Sequence, residues 1–124
     1  MTTQFKLPAP DAPAEEWGRL AVSIPGLRWM PGMRDGRTGE RYEDGDGPWL
    51  VNKWPDPDDP ATEGCLLALL GPDVNVLRRK NRTVVTIITD NLDFGHYPQG
   101  RGHSLGRACI AAAAALGRWP GGAK

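Results

Sequence analysis

Apolar positions follow two different periods along this chain, and the change from one to the other marks its elements. Trp17, Leu20, Ala21 and Ile24 fall at i, i+3, i+4 and i+7, one apolar stripe that predicts a helix over residues 11–24. Asp11 stands at its N-cap position, Glu15 and Glu16 sit in the first turns where the helix dipole favours negative charge, and Pro25-Gly26 stops it. A second helix is predicted from Asp59 as N-cap, Pro60 at the first helical position and Glu63 in the first turn. Leu66, Leu67, Leu69 and Leu70 make this helix apolar around much of its circumference, so it is expected to be well buried, and Gly71-Pro72 ends it. A third helix, over residues 105–116, puts Leu105, Ala108, Cys109, Ala112, Leu116 and Trp119 on one stripe, with Arg107 and Arg118 on the other side. Ser104 is its expected N-cap, Pro120-Gly121-Gly122 its stop, and the alanines from 111 to 115 allow close approach to a sheet.

Between the second and third helices the period shortens. Thr83-Val84-Val85-Thr86-Ile87-Ile88-Thr89 is wholly β-branched, and side chains stiff at χ1 favour a pleated strand. Val84, Val85, Ile87 and Ile88 put bulk on both sides of this ribbon, which predicts a central strand covered on both faces. Val74 and Val76 begin a preceding strand, joined to it through the hairpin tip Arg78-Arg79-Lys80-Asn81-Arg82. Two further strands are expected at residues 27–30 and 49–54, the second bounded by Pro48 and Pro55. The predicted order is α-β-β-α-β-β-α, an α+β fold with a small, mostly antiparallel sheet and helices packed on it. Residues 1–10, with Pro8 and Pro10, read as a flexible N-terminal arm, 11–120 as one domain and 121–124 as a tail.

At 124 residues the chain suits a single domain, able to bury roughly two thirds of its unfolded surface. Fifteen Lys and Arg balance fifteen Asp and Glu, so no global field draws it to nucleic acid or an anionic membrane. The charge is unevenly spread. Residues 35–63 carry nine acids against Arg37, Arg41 and Lys53, whereas residues 64–124 carry eight bases against Asp73, Asp90 and Asp93. The N-terminus lacks the pattern of a signal peptide and residues 108–117 are too short an apolar run to span a bilayer, which makes the cytoplasm the expected location and a membrane no partner. Cys65 and Cys109 each fall inside a helical pattern and are expected to be reduced core thiols.

The candidate binding residues lie in two places. Arg78, Arg79, Lys80 and Arg82 crowd the hairpin tip, a pattern suited to phosphate contacts, although no aromatic is interleaved to stack a base. His96, Tyr97, Arg101 and His103 belong to a long stretch, residues 90–103, read as a loop that could carry binding. Other motifs are incomplete. Asp44-Gly45-Asp46-Gly47 lacks the further ligands of a calcium loop, and Asp56, Asp58 and Asp59 fit helix capping better than metal chelation. Gly102-His103-Ser104-Leu105-Gly106 matches a G-x-S-x-G nucleophile elbow, but no Asp, Glu or His follows Ser104 to complete a triad. Gly100, Gly102 and Gly106 lack the spacing and the Lys-Ser/Thr pair of a phosphate loop. The reading contains no catalytic residue, metal or cofactor.

Leu27-Arg28-Trp29-Met30-Pro31-Gly32-Met33, Asp59-Pro60-Ala61-Thr62-Glu63-Gly64-Cys65-Leu66-Leu67 and Ser104-Leu105-Gly106-Arg107-Ala108-Cys109-Ile110 together resemble small phage and prophage proteins of the phage ABA sandwich type. The resemblance implies a helix/sheet/helix arrangement and a phage origin, and carries no catalytic residues. It leads to the expectation of a non-enzymatic accessory protein that binds a host protein, as an inhibitor of a defence complex such as a CRISPR effector, with some of the five tryptophans as anchors. The alternative is a nucleic-acid-binding module using Arg78, Arg79, Lys80, Arg82, Arg101 and Arg107.

Overall fold

The β-branched run does form the middle of the sheet. The computed structural model describes residues 5–43, 53–88 and 97–121. Within them β1 (Val74–Arg79), β2 (Arg82–Ile87) and β3 (Gln99–Gly102) form an antiparallel sheet in the order β1-β2-β3. The helices are α1 (Ala14–Ser23), α2 (Pro60–Leu69) and α3 (Leu105–Leu116), and the class is α+β.

Of the described helices only α3 lies against the sheet, and α1 and α2 pack on α3. The element surrounded by others is therefore α3, buried continuously from Leu105 to Ala114. This differs from a strand sandwiched between helices. Thr83, Val85 and Ile87 face α3 and are buried, while Val84, Thr86 and Ile88 form the other face, on which no described helix packs. Val84 is nevertheless only 8% exposed. It is flanked by Leu77 on β1 and Arg101 on β3, whose stems can shield it from water. The two-sided apolar pattern of β2 thus reflects cross-strand neighbours as well as a helix.

β3 occupies part of the stretch predicted to be loop. Its sequence, Gln-Gly-Arg-Gly, has no β-branched residue, and packing against α3 explains why. Gly100 stands opposite Val85, and a Cβ there would run into the backbone of α3 at Ala108 and Ala112. Gly102 is similarly close to Arg107 and Ala108. Glycine lets helix and strand touch backbone to backbone.

Helix boundaries follow local chemistry in two cases of three. The Asp59 carboxylate accepts from the Thr62 N–H at 3.0 Å and from the Thr62 hydroxyl, and Pro60 opens α2. Ser104 Oγ accepts from the Arg107 N–H at 3.2 Å, and Gly117, with φ of 91°, closes α3 three residues before Pro120. In α1 the expected cap is displaced. Asp11 lies in a turn closed by Ala12 N–H to Ala9 O, and Pro13 takes the N-cap position without a side-chain cap. The predicted stripe is kept, with Trp17, Ala21 and Ile24 buried. Trp119, predicted to extend the stripe of α3, lies beyond that helix but is fully buried, its Nε1 donating to Ala21 O of α1 at 3.2 Å.

Residues 27–30 do not form a strand. They are bracketed by Pro25-Gly26 and Pro31-Gly32, and Trp29 instead packs its ring 6.1 Å from that of Tyr42. The strand expected over 49–54 falls largely outside the described residues, and its last two positions, Lys53 and Trp54, are not in a strand.

Both thiols are free, Cys65 half-buried and Cys109 fully buried. Burial pushes the Cys109 thiol up to about 12, with the nearby Glu63 carboxylate adding to the shift, and burial also raises that of Cys65. In native protein iodoacetamide is expected to label Cys65 first, with Cys109 alkylated only after unfolding. Peptide mapping checks this; equal labelling of both would contradict the packing of α3.

Candidate functional site

Antiparallel pairing arranges the open face of the sheet in rows. Arg79 stands opposite Arg82; Leu77, Val84 and Arg101 form the next row; Asn75, Thr86 and Gln99 the third. The ladder continues through Ile88 N–H to Asp73 O at 2.8 Å and Ile87 N–H to Pro98 O at 2.9 Å, which brings Asp73, Ile88 and Tyr97 into a fourth row. One end of the face is cationic, apolar Leu77 and Val84 come next beside Arg101, the third row is polar, and Ile88 and Tyr97 stand with Asp73 at the far end.

Four of the candidate binding residues, Arg79, Arg82, Arg101 and Tyr97, therefore share one face although they come from three segments of the chain. Arg78 and Lys80 complete the exposed tip. His103 follows β3 and is exposed, on the side of the Asp58 carboxylate. His96 lies outside the described residues. Among the described residues none of Arg78, Arg79, Lys80, Arg82 or Arg101 has an ion pair, and the face contains no acid until Asp73 at its opposite end. Arg101 Nη2 reaches Gln99 Oε1 at 3.5 Å, and Gln99 Nε2 donates to Thr86 Oγ1 at 3.0 Å. Unpaired guanidinium groups held on a rigid sheet can present a positive surface to an anionic partner.

Of the apolar part of this surface, Leu77 and Ile88 were missed by sequence reasoning, whereas Tyr97 was among the candidates. Leu77 is 46% exposed, Ile88 42% and Tyr97 41%. Strand parity relative to the buried Val85 and Ile87 would have assigned Leu77 and Ile88 to the outer face. Beside Ile88 a hollow of about 390 Å³ is lined by Leu70, Pro72, Asp73, Ile87, Leu116 and Arg118, among others.

Arg107 does not join this surface. It is 8% exposed, and its guanidinium donates to both oxygens of Asp58 at 2.9 and 3.0 Å and to the carbonyls of Pro10 and Ala12. Several acids of the 35–63 region are likewise engaged in holding the fold. Asp35, fully buried, accepts from the N–H groups of Arg37, Thr38 and Trp54 and from the Thr38 hydroxyl, with Lys53 Nζ 3.4 Å away. Asp59 receives a two-pronged contact from Arg41 at 2.7 and 2.8 Å besides capping α2. Glu63 accepts from the Gly106 N–H at 3.0 Å, tying α2 to the start of α3.

No family model, curated protein or solved structure matches this chain. Its chemistry is read from its own residues. Ser104, in the G-x-S-x-G motif, caps α3, and its hydroxyl lies 2.8 Å from the Asp58 carboxylate and 3.4 Å from Pro57 O. Among the described residues no helix is long and apolar enough to cross a membrane.

The carboxylate ties set the response to acid. Hydrogen bonds from Arg41 hold Asp59 down to about 2, against the opposing effect of burial and with help from Thr62. Burial works against ionisation of Asp35 and Asp58 too, but hydrogen bonds outweigh it and leave both below the usual carboxylate range. At low pH the folded state thus binds fewer protons than the unfolded state. Their stabilisation is complete above the ordinary carboxylate range and is lost as pH falls from about 4 toward 2. Asp59 alone is expected to account for about 1–2 kcal/mol of that loss, allowing for the half-exposed Arg41. Chemical denaturation of wild type and Asp59→Asn at pH 7 and pH 3 measures it; an equal loss in both proteins would rule out Asp59 as the source.

Proposed function

We propose that this chain is a non-enzymatic binding protein whose contact surface is the open sheet face and its hairpin tip. Following the resemblance to phage proteins, the partner is a protein of the bacterial host with an acidic surface, and the chain acts as an inhibitor of a host defence complex. The observation that carries this reading is the row arrangement itself. Unpaired Arg79, Arg82 and Arg101 stand on the same face as exposed Leu77, Ile88 and Tyr97, with Arg78 and Lys80 beside them at the tip. Arginine and tyrosine are the residue types that anchor interfaces, and neighbouring aliphatic side chains exclude water around them.

A second reading, a nucleic-acid-binding module, draws on the same cations without an acidic counterpart among the described residues. Charge reversal separates the two. Captured from host lysate, tagged wild type is expected to retain a stoichiometric host protein after nuclease treatment. Its affinity should fall roughly tenfold or more when Arg78, Arg79, Lys80 and Arg82 are changed to Glu. A salt-dependent mobility shift with DNA or RNA, abolished by the same substitutions, would favour the nucleic-acid reading. Binding of either kind that is indifferent to the four reversals would remove the basic tip from both.

A further inference from the structure

The outer edge of β1 has backbone groups that no described strand satisfies, and we propose that a second copy of this chain pairs with it. The pairing is antiparallel and centred on Val76, and joins two three-stranded sheets into one. The ladder fixes which groups are available. Ile88 N–H donates to Asp73 O, so Asp73 and, by alternation, Asn75, Leu77 and Arg79 turn their N–H and C=O toward β2. Those of Val74, Val76 and Arg78 therefore point away from the sheet. A two-fold axis through Val76 sets Val76 opposite its own copy and Val74 opposite Arg78 of the second copy. Each is then a hydrogen-bonded pair in which both bonds are exchanged.

Charge selects this register. On the outer face the same axis places Asp73 opposite Arg79 of the second copy, and Arg79 opposite its Asp73. Both residues are exposed, and neither has an ion pair among the described residues. Moving the axis to Leu77 keeps the faces matched but sets Asp73 against Asn81 and Arg79 against Asn75, so both opposite-charge pairs are lost. On the inner face Val76 is half-buried, packed against the core from the edge strand of the sheet. In the pair it gains the second Val76 as an apolar neighbour. Arg79 is consumed in the pairing, while Lys80, Arg82 and Arg101 remain on the joined surface.

Sedimentation velocity over a concentration series tests the pairing. Wild type is expected to show a monomer–dimer equilibrium. Val76→Pro removes an N–H that no described strand uses, and should leave a monomer with an unchanged circular dichroism spectrum. Asp73→Arg and Arg79→Asp each oppose like charges, and should each weaken the dimer roughly tenfold. Mixing these two single variants should recover it, since one brings cations to both positions and the other anions. A wild type that stays monomeric into the millimolar range overturns the proposal, as does a dimer indifferent to the charge variants or a mixture that fails to recover association. If Val76→Pro loses its fold, the charge-variant mixture decides alone.

Discussion

Gly100→Val is expected to unfold the protein, or to leave it at least about 3 kcal/mol less stable. The reason is the identity of the atoms in the way. A Cβ at position 100 is directed at backbone atoms of α3, at Ala108, Ala111 and Ala112, rather than at the end of a side chain that could swing aside. Relief would require α3 to lift from β3. That helix is buried from Leu105 to Ala114 and holds Trp119 and α1 in place, so moving it disturbs every layer. Gly64 supplies the contrast within the same molecule. It lies inside α2, and a Cβ there meets nothing within 4 Å. Gly64→Ala should therefore stabilise by about 0.5–1 kcal/mol through helix propensity. Urea denaturation of the two variants checks both. A folded Gly100→Val with an unchanged midpoint would mean that α3 does not rest on β3.

The same contact shows where sequence reasoning reaches its limit. β2 was readable because seven β-branched residues specify a strand locally, and α2 and α3 were readable from Asp59-Pro60 and Ser104 because capping is a local interaction. β3 was not, because Gln99-Gly100-Arg101-Gly102 has strand geometry only in the presence of α3, and its glycines, which mark a loop by propensity, are there to admit a helix backbone. Asp35 counts in the sequence only as one of the nine acids of residues 35–63, yet it is a fully buried acceptor. The clue was the spacing Asp35-Gly36-Arg37-Thr38, in which a carboxylate can take the next N–H groups and the Thr hydroxyl. The candidate surface was named in advance in part, its hairpin cations from charge and Arg101 and Tyr97 from the 90–103 stretch. Its unity was not, since Arg79, Arg82, Arg101 and Tyr97 meet only through the register of three strands, one of which was read as loop.

Arg107→Ala is expected to cost about 2–3 kcal/mol and to release the N-terminal segment. In the sequence Arg107 falls on the polar side of α3, where an arginine is ordinarily solvated. Here residues 9–12 lie across that side, and the guanidinium supplies what their carbonyls lack. It donates to Pro10 O at 2.9 Å and Ala12 O at 2.6 Å while clamping Asp58 through two further bonds. Removing it leaves these acceptors with only the water that can enter, and leaves Asp58 with Ser104 as a neutral partner. The figure stays below that of a fully buried pair because the Asp58 side chain is 42% exposed and regains hydration. Arg107→Lys keeps the charge but cannot hold both Asp58 oxygens and two carbonyls together, so it should recover less than half of the loss. Two readouts separate this clamp from a surface charge: the denaturation midpoint falls, and limited proteolysis between Leu7 and Ala14 accelerates in proportion. A midpoint within about 0.5 kcal/mol of wild type, with unchanged cleavage, would show that Arg107 is solvated and free to serve a partner.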